Sequence, residues 1–183
     1  MEVGLRAGYA FGLGDAARSS PMSASLAGEA PLELDVGYRV LQRLTVGVYA
    51  SYGPVLVGSV CGGNSCSGSV VATGVGATYS FDRLLGLAPW AGVFFGYEWA
   101  SYHAGSGSDH LDVSLRGFDF LGLEGGADYP LGEHFAVGPF LSLSLGSYAN
   151  LSVASPLGEV SGGVPSPSTH LWLGIGVRGT YGS

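Results

Sequence analysis

Lysine is absent from this chain of 183 residues, and charged residues of either sign make up only 11% of it. Seven arginines face 14 aspartates and glutamates, for a formal net charge of −7. A nucleic-acid interface needs a basic stripe, and none exists, so no nucleic-acid partner is expected. Soluble domains carry about 25% charged residues and use them to cover their surface. This chain is 46% hydrophobic, with a mean hydropathy of +0.34, and lacks that covering. It also lacks long apolar runs: no stretch approaches the roughly 20 residues of a transmembrane helix. Helical periodicity of useful length is missing too. High hydropathy without a long run places the apolar residues in alternating strands, the pattern of a transmembrane β-barrel.

What is present is alternation and 33 glycines. In Thr169–Tyr181, Leu171, Leu173, Ile175 and Val177 share one parity, while Trp172, Gly174, Gly176, Arg178 and Thr180 share the other. Successive strand side chains point to opposite faces, so one face is aliphatic and the other is small with a charge. A parallel central strand would be apolar on both faces. Lipid on one side and a narrow polar interior on the other fit this pattern. The same alternation predicts strands over 2–13, 31–40, 44–53, 69–81, 88–101, 114–129, 135–148 and 169–181. Pro139 removes a ladder donor, so a bulge is expected there. Connections run long, short, long, short, long, short, long. The long ones are 14–30, 54–68, 102–113 and 149–168. An up-and-down barrel with turns on one side and loops on the other has this asymmetry. Pairing of the first and last strands would close the sheet and remove both edges. The fold class is therefore all-β: an eight-stranded antiparallel up-and-down transmembrane β-barrel, one domain over 1–183. Tyr38, Tyr79, Tyr129 and Tyr181 should mark the turn-side rim, and Tyr52, Tyr97 and Trp99 should lie toward the loop side.

The stretches LELDVGYRVLQRLTVGVYASYG at 32–53 and FAVGPFLSLSLGSY at 135–148, with the closing strand, carry a resemblance. The chain resembles the eight-stranded outer-membrane β-barrel proteins of Gram-negative bacteria, the OmpA/OmpX-like group. The resemblance is architectural and covers almost the whole chain. It implies a bacterial outer-membrane location, with outer-membrane lipid, lipopolysaccharide and the barrel-insertion machinery as partners, and a monomeric state. Members commonly end on an aromatic residue; here Gly182 and Ser183 follow Tyr181. Met1 runs directly into a strand, so a signal peptide is not expected within these residues. In a soluble lipocalin- or streptavidin-like barrel the polar parity would be the solvent face, rich in Lys and Glu. It is rich in glycine instead.

Arg6, Glu33, Asp35, Arg39, Glu98, Arg116, Glu124, Asp128 and Arg178 all fall on the non-aliphatic parity. An eight-stranded barrel is just wide enough for side chains to fill, and isolated buried charges are costly. These residues are expected to form an ion-pair network that plugs the lumen. Arg39, Asp128 and Arg178 lie toward the turn end, and Glu33 and Glu98 toward the loop end, where carboxylates outnumber arginines. The resemblance implies an alternative, a narrow pore or carrier for small solutes. Tyr49, Phe94, Phe120, Phe140 and Trp172 share the inward parity, and could line a site for a small apolar ligand as in OmpW-like barrels.

Four histidines exist: His103, His110, His134 and His170. Outer-membrane lipid-modifying enzymes need a nucleophilic serine with a histidine and a carboxylate in reach. His110, Asp112 and Ser114 are the one candidate set, in a loop that is polar in any case. His103, Asp109, His110 and Asp112 could offer metal ligands, but such residues in a Gly/Ser loop are more often solvated. No catalytic residue, metal or cofactor is expected. Cys61 and Cys66 flank four residues in CGGNSC, whose glycines permit the turn a disulfide requires. Loops reached through the oxidising periplasm keep such bonds. The function expected is that of an integral outer-membrane barrel with a structural or surface-exposed role, in adhesion or envelope integrity.

Overall fold

The structure, a computed structural model, describes residues 1–17, 20–21, 28–56, 65–106, 109–156, 158–164 and 169–182. Among them the chain forms β1 (Glu2–Ala17), β2 (Ser20–Pro21), β3 (Gly28–Glu29), β4 (Leu32–Leu41), β5 (Leu44–Leu56) and β6 (Ser65–Ser80). There follow β7 (Ala88–Ser106), β8 (Asp109–Pro130), β9 (Phe135–Ser155), β10 (Gly158–Gly163) and β11 (Thr169–Gly182). Eight of these make the ring. β1 pairs with β4, each later strand pairs with the next in chain order from β4 to β9, β9 pairs with β11, and β11 returns to β1. All these pairings are antiparallel. The closing register sets Val3 against Tyr181, Arg6 against Arg178 and Gly14 against His170.

The aliphatic parity faces outward. Leu34, Val46 and Ile175 are exposed and Leu143 is half-buried, the arrangement lipid requires. Tyr38, Tyr79, Tyr129 and Tyr181 are exposed at the turn end. Tyr52 is exposed toward the loop end, where Tyr97 packs edge-on against Trp99. The two termini meet at the turn end: Glu2 pairs with Gly182, whose N–H donates to the His134 carbonyl at 2.9 Å.

The predicted strands end too early on the loop side. Much of the segment read as a loop at 102–113 is a hairpin continuing β7 and β8, with Ser106 opposite Asp109. Within the loop read at 149–168, β9 runs on to Ser155 and β10 folds back on it. Polar and glycine-rich composition hid these strands, because above the membrane neither face needs to be aliphatic. Pro139 causes no bulge. It pairs with Val177 in unbroken register, and on the other side the β8–β9 ladder skips Ala127 and Asp128 and then resumes in step. The missing N–H interrupts rungs without adding a residue.

The bulges lie higher. Phe120 is an extra residue in β8, between Asp119 and Leu121, and Ala149 is extra in β9. One inserted residue flips side-chain parity. Arg116 and Phe120, both expected inside, therefore lie on the exposed outer surface, while Asp119 turns inward and is buried.

Candidate functional site

The lumen is filled in layers that follow the strand registers. At the turn-side mouth Arg39 Nη2 lies 3.5 Å from Glu2 Oε2. Above it Arg178 grips Asp128 with Nη2 at 2.6 Å and Nε at 3.1 Å from Oδ2. The Trp90 indole N–H donates to Asp128 Oδ1 at 3.1 Å, and the Arg178 guanidinium lies 3.6 Å from the centroid of the Trp90 ring. All three side chains are buried. A guanidinium suits this place because its planar fork pairs with a carboxylate while its face stacks on an aromatic ring.

Arg6 holds the next layer. Its Nε donates to Asp35 Oδ1 at 3.0 Å, its Nη1 lies 3.3 Å from Glu33 Oε1, and both terminal nitrogens contact Glu124. One cation thus meets three carboxylates from β4 and β8. Gly92 makes room for this: a methyl there would sit 2.6 Å from Glu124 Oε1. Over Arg6 lie Tyr49, Phe94 and Phe140, the first two edge to face at 5.8 Å. Two cavities of about 90 Å³ lie on either side, and Arg6, Glu33, Tyr49, Phe94 and Phe140 line both. These residues are the partition. Neither cavity reaches the roughly 300 Å³ of a small-molecule pocket. Of the inward aromatics expected from the sequence, Tyr49, Phe94 and Phe140 stand between the two cavities, Trp172 lines the upper one, and Phe120 lies on the outer surface.

The loop-side layer has a different composition. Glu98 is 2% exposed, with its carboxylate held by the Tyr148 hydroxyl on Oε1 and by the Trp172 indole N–H on Oε2 at 3.1 Å. Asp119 and His170 lie on a row with Gly146, and Asp119 Oδ1 is 3.9 Å from His170 Nε2. A methyl on Gly146 would sit 2.5 Å from that oxygen and 2.6 Å from that nitrogen, so only glycine lets the two side chains meet. Tyr148 stacks on His170 with centroids 4.3 Å apart. Glu29 Oε2, Asp119 Oδ1 and both ring nitrogens of His170 are buried without a hydrogen-bond partner. Val55, Val70, Ala100 and Val164 form an apolar cluster with Tyr148 and Trp172, and Leu115 and Leu151 pack on it.

Of the nine charges expected in the lumen, Arg6, Glu33, Asp35, Glu124, Asp128 and Arg178 form the two buried ion-pair layers, and Arg39 sits at the mouth. Glu98 is inside but meets hydrogen-bond donors instead of an arginine. Arg116 is outside, on a groove with Ser114, Asn150, Ser152 and Glu159. Sequence reasoning missed Glu29 in an assumed loop, Asp119 behind a bulge, and Tyr148 and His170. His170 shares the parity of Trp172, which was the available signal. The Asp112 carboxylate pairs with His103, at 2.7 Å and exposed. The side chains of Asp109 and His110 lie outside the described residues, as does Cys61, the expected partner of Cys66.

A closed, antiparallel, eight-stranded barrel with an aliphatic outer band and a charged interior has the fold of the outer-membrane barrels. No protein-family model and no curated protein sequence matches the chain. Among solved structures it is similar to Neisserial surface protein A, at 15% identity and TM-score 0.58, over 97% of this chain and 94% of that one. It is similar to the outer membrane protein OprG from Pseudomonas aeruginosa, at 15% identity and TM-score 0.56, over 100% and 96%. A third is the outer membrane protein AlkL in lipid bilayers, at 15% identity and TM-score 0.51, over 100% and 90%. The shared property is the fold.

Proposed function

We propose that this chain is an integral barrel of a bacterial outer membrane whose bore is closed and whose work is done at its outer surface, as a structural or surface-contact protein. The observation that carries this reading is the partition at Arg6. One guanidinium holds carboxylates from two strands under a belt of three aromatic rings, with only about 90 Å³ of space on either side. A packed ionic layer of this kind fixes strand register and leaves no continuous water path. The fold and the outward aliphatic band support the membrane location, and the fold's precedents support the outer membrane. The extended hairpins of β7–β8 and β9–β10 supply surface beyond the lipid. Arg116, exposed on a polar groove at that end, suits the phosphates of lipopolysaccharide. Liposomes containing the refolded protein should not swell in small sugars or salts. Swelling at the rate of porin liposomes would favour the pore or carrier reading.

A further inference from the structure

We propose that Glu98, Asp119 and His170 form a binding site for one divalent first-row transition-metal ion of the Zn²⁺ type. Each offers one ligand atom, and the three atoms lie within 4.8 Å of one another. All three residues are buried, at 2%, 4% and 1% exposure. Ligand atoms on one zinc at about 2.0–2.1 Å stand about 3.3 Å apart in a tetrahedron. The 3.9 Å between His170 Nε2 and Asp119 Oδ1 closes to that with a small side-chain movement.

Three further observations point to an ion. Neither nitrogen of His170 nor Asp119 Oδ1 has a hydrogen-bond partner, although all are buried. Buried polar atoms in native proteins are nearly always paired, and one bound ion would pair Asp119 Oδ1 and His170 Nε2. No guanidinium occupies the place either: among the described residues no arginine pairs with Glu98 or Asp119. Finally, the surroundings resemble a metal site's outer shell. Tyr148 and Trp172 fix the Glu98 carboxylate by hydrogen bonds, and Tyr148 stacks on the imidazole. Outer-shell contacts of this kind orient ligands. A nitrogen with two carboxylate oxygens favours zinc and its neighbours over magnesium or calcium, which take oxygen alone. Glu98 and Asp119 line the cavity above Arg6, which gives a water room to complete the coordination.

The test uses the whole barrel refolded into detergent with Zn²⁺ or Co²⁺ present, since the apolar cluster covers the site on the loop side. After gel filtration, metal analysis should give about one Zn²⁺ per chain, and the Co²⁺ form should show the visible bands of a low-symmetry site. His170→Ala and Asp119→Asn should each abolish stoichiometric binding. His103→Gln and His134→Gln, at exposed histidines, should leave it intact. Tyr148→Phe should weaken binding about tenfold through loss of the bond to Glu98. Heat-dependent gel mobility monitors folding, and Asp119→Asn, nearly the same shape, carries the test if His170→Ala does not fold. A folded wild-type barrel that retains no metal overturns the proposal. So does binding that survives Asp119→Asn or is lost with His103→Gln.

Discussion

Below the belt of Tyr49, Phe94 and Phe140, each lumen carboxylate has an arginine within 3.5 Å: Glu2, Glu33, Asp35, Glu124 and Asp128. Above it, Glu29, Glu98 and Asp119 have none among the described residues. The lower half neutralises charge by salt bridges whose geometry a guanidinium fork can satisfy. The upper half holds Glu98 with neutral donors, Tyr148 and Trp172, and leaves Asp119 beside His170 without a hydrogen bond. The difference shows two ways of burying carboxyl groups inside one barrel. The lower one locks strands together. The upper one leaves coordinating atoms free.

That contrast can be broken from either side. The largest effect is expected from Arg6→Ala. Three carboxylates would lose their shared cation, and a buried pair broken on one side costs about 3–5 kcal/mol. Urea unfolding in lipid vesicles, followed by tryptophan fluorescence, measures it. A loss near zero would mean that water, not Arg6, solvates the lower layer. Tyr148→Phe removes a hydrogen bond to a buried carboxylate in the upper half and should cost about 2 kcal/mol by the same measurement. An equal loss in Arg6→Ala and Tyr148→Phe would erase the distinction between the halves. Arg178→Lys keeps the charge but gives up the fork on Asp128 and the stacking on Trp90, and should cost about 1 kcal/mol.

The smallest effect concerns Cys61 and Cys66. A Cys61–Cys66 disulfide would close only a short loop and so stiffen its tip more than it stabilises the barrel. Alkylation without reductant, followed by mass spectrometry, should leave both cysteines unmodified. Two alkylated cysteines would remove the disulfide from the account.

The lower half was legible in the sequence and the upper half only in part, for a physical reason. Strict period-two alternation holds while one face meets lipid, so Leu34, Val46 and Ile175 report their own sidedness and that of Arg6, Glu33, Asp35 and Arg178 between them. Near the loop-side edge of the membrane that constraint ends. The extra residues Phe120 and Ala149 then flip the parity of β8 and β9, and no composition signal marks the flip. Phe120 and Arg116 were consequently read as inward and Asp119 was passed over. Glu29 was lost differently, since the two-residue strand Gly28–Glu29 is too short to show alternation.

The central claim is that the bore is closed at Arg6, and planar-bilayer recording tests it most directly. Wild-type protein inserted at neutral pH in potassium chloride should give little or no steady conductance. Arg6→Ala, where it still inserts, should give a cation-preferring leak, because Glu33, Asp35 and Glu124 would line the opened partition. Large, stable conductance from the unmodified barrel would contradict the account.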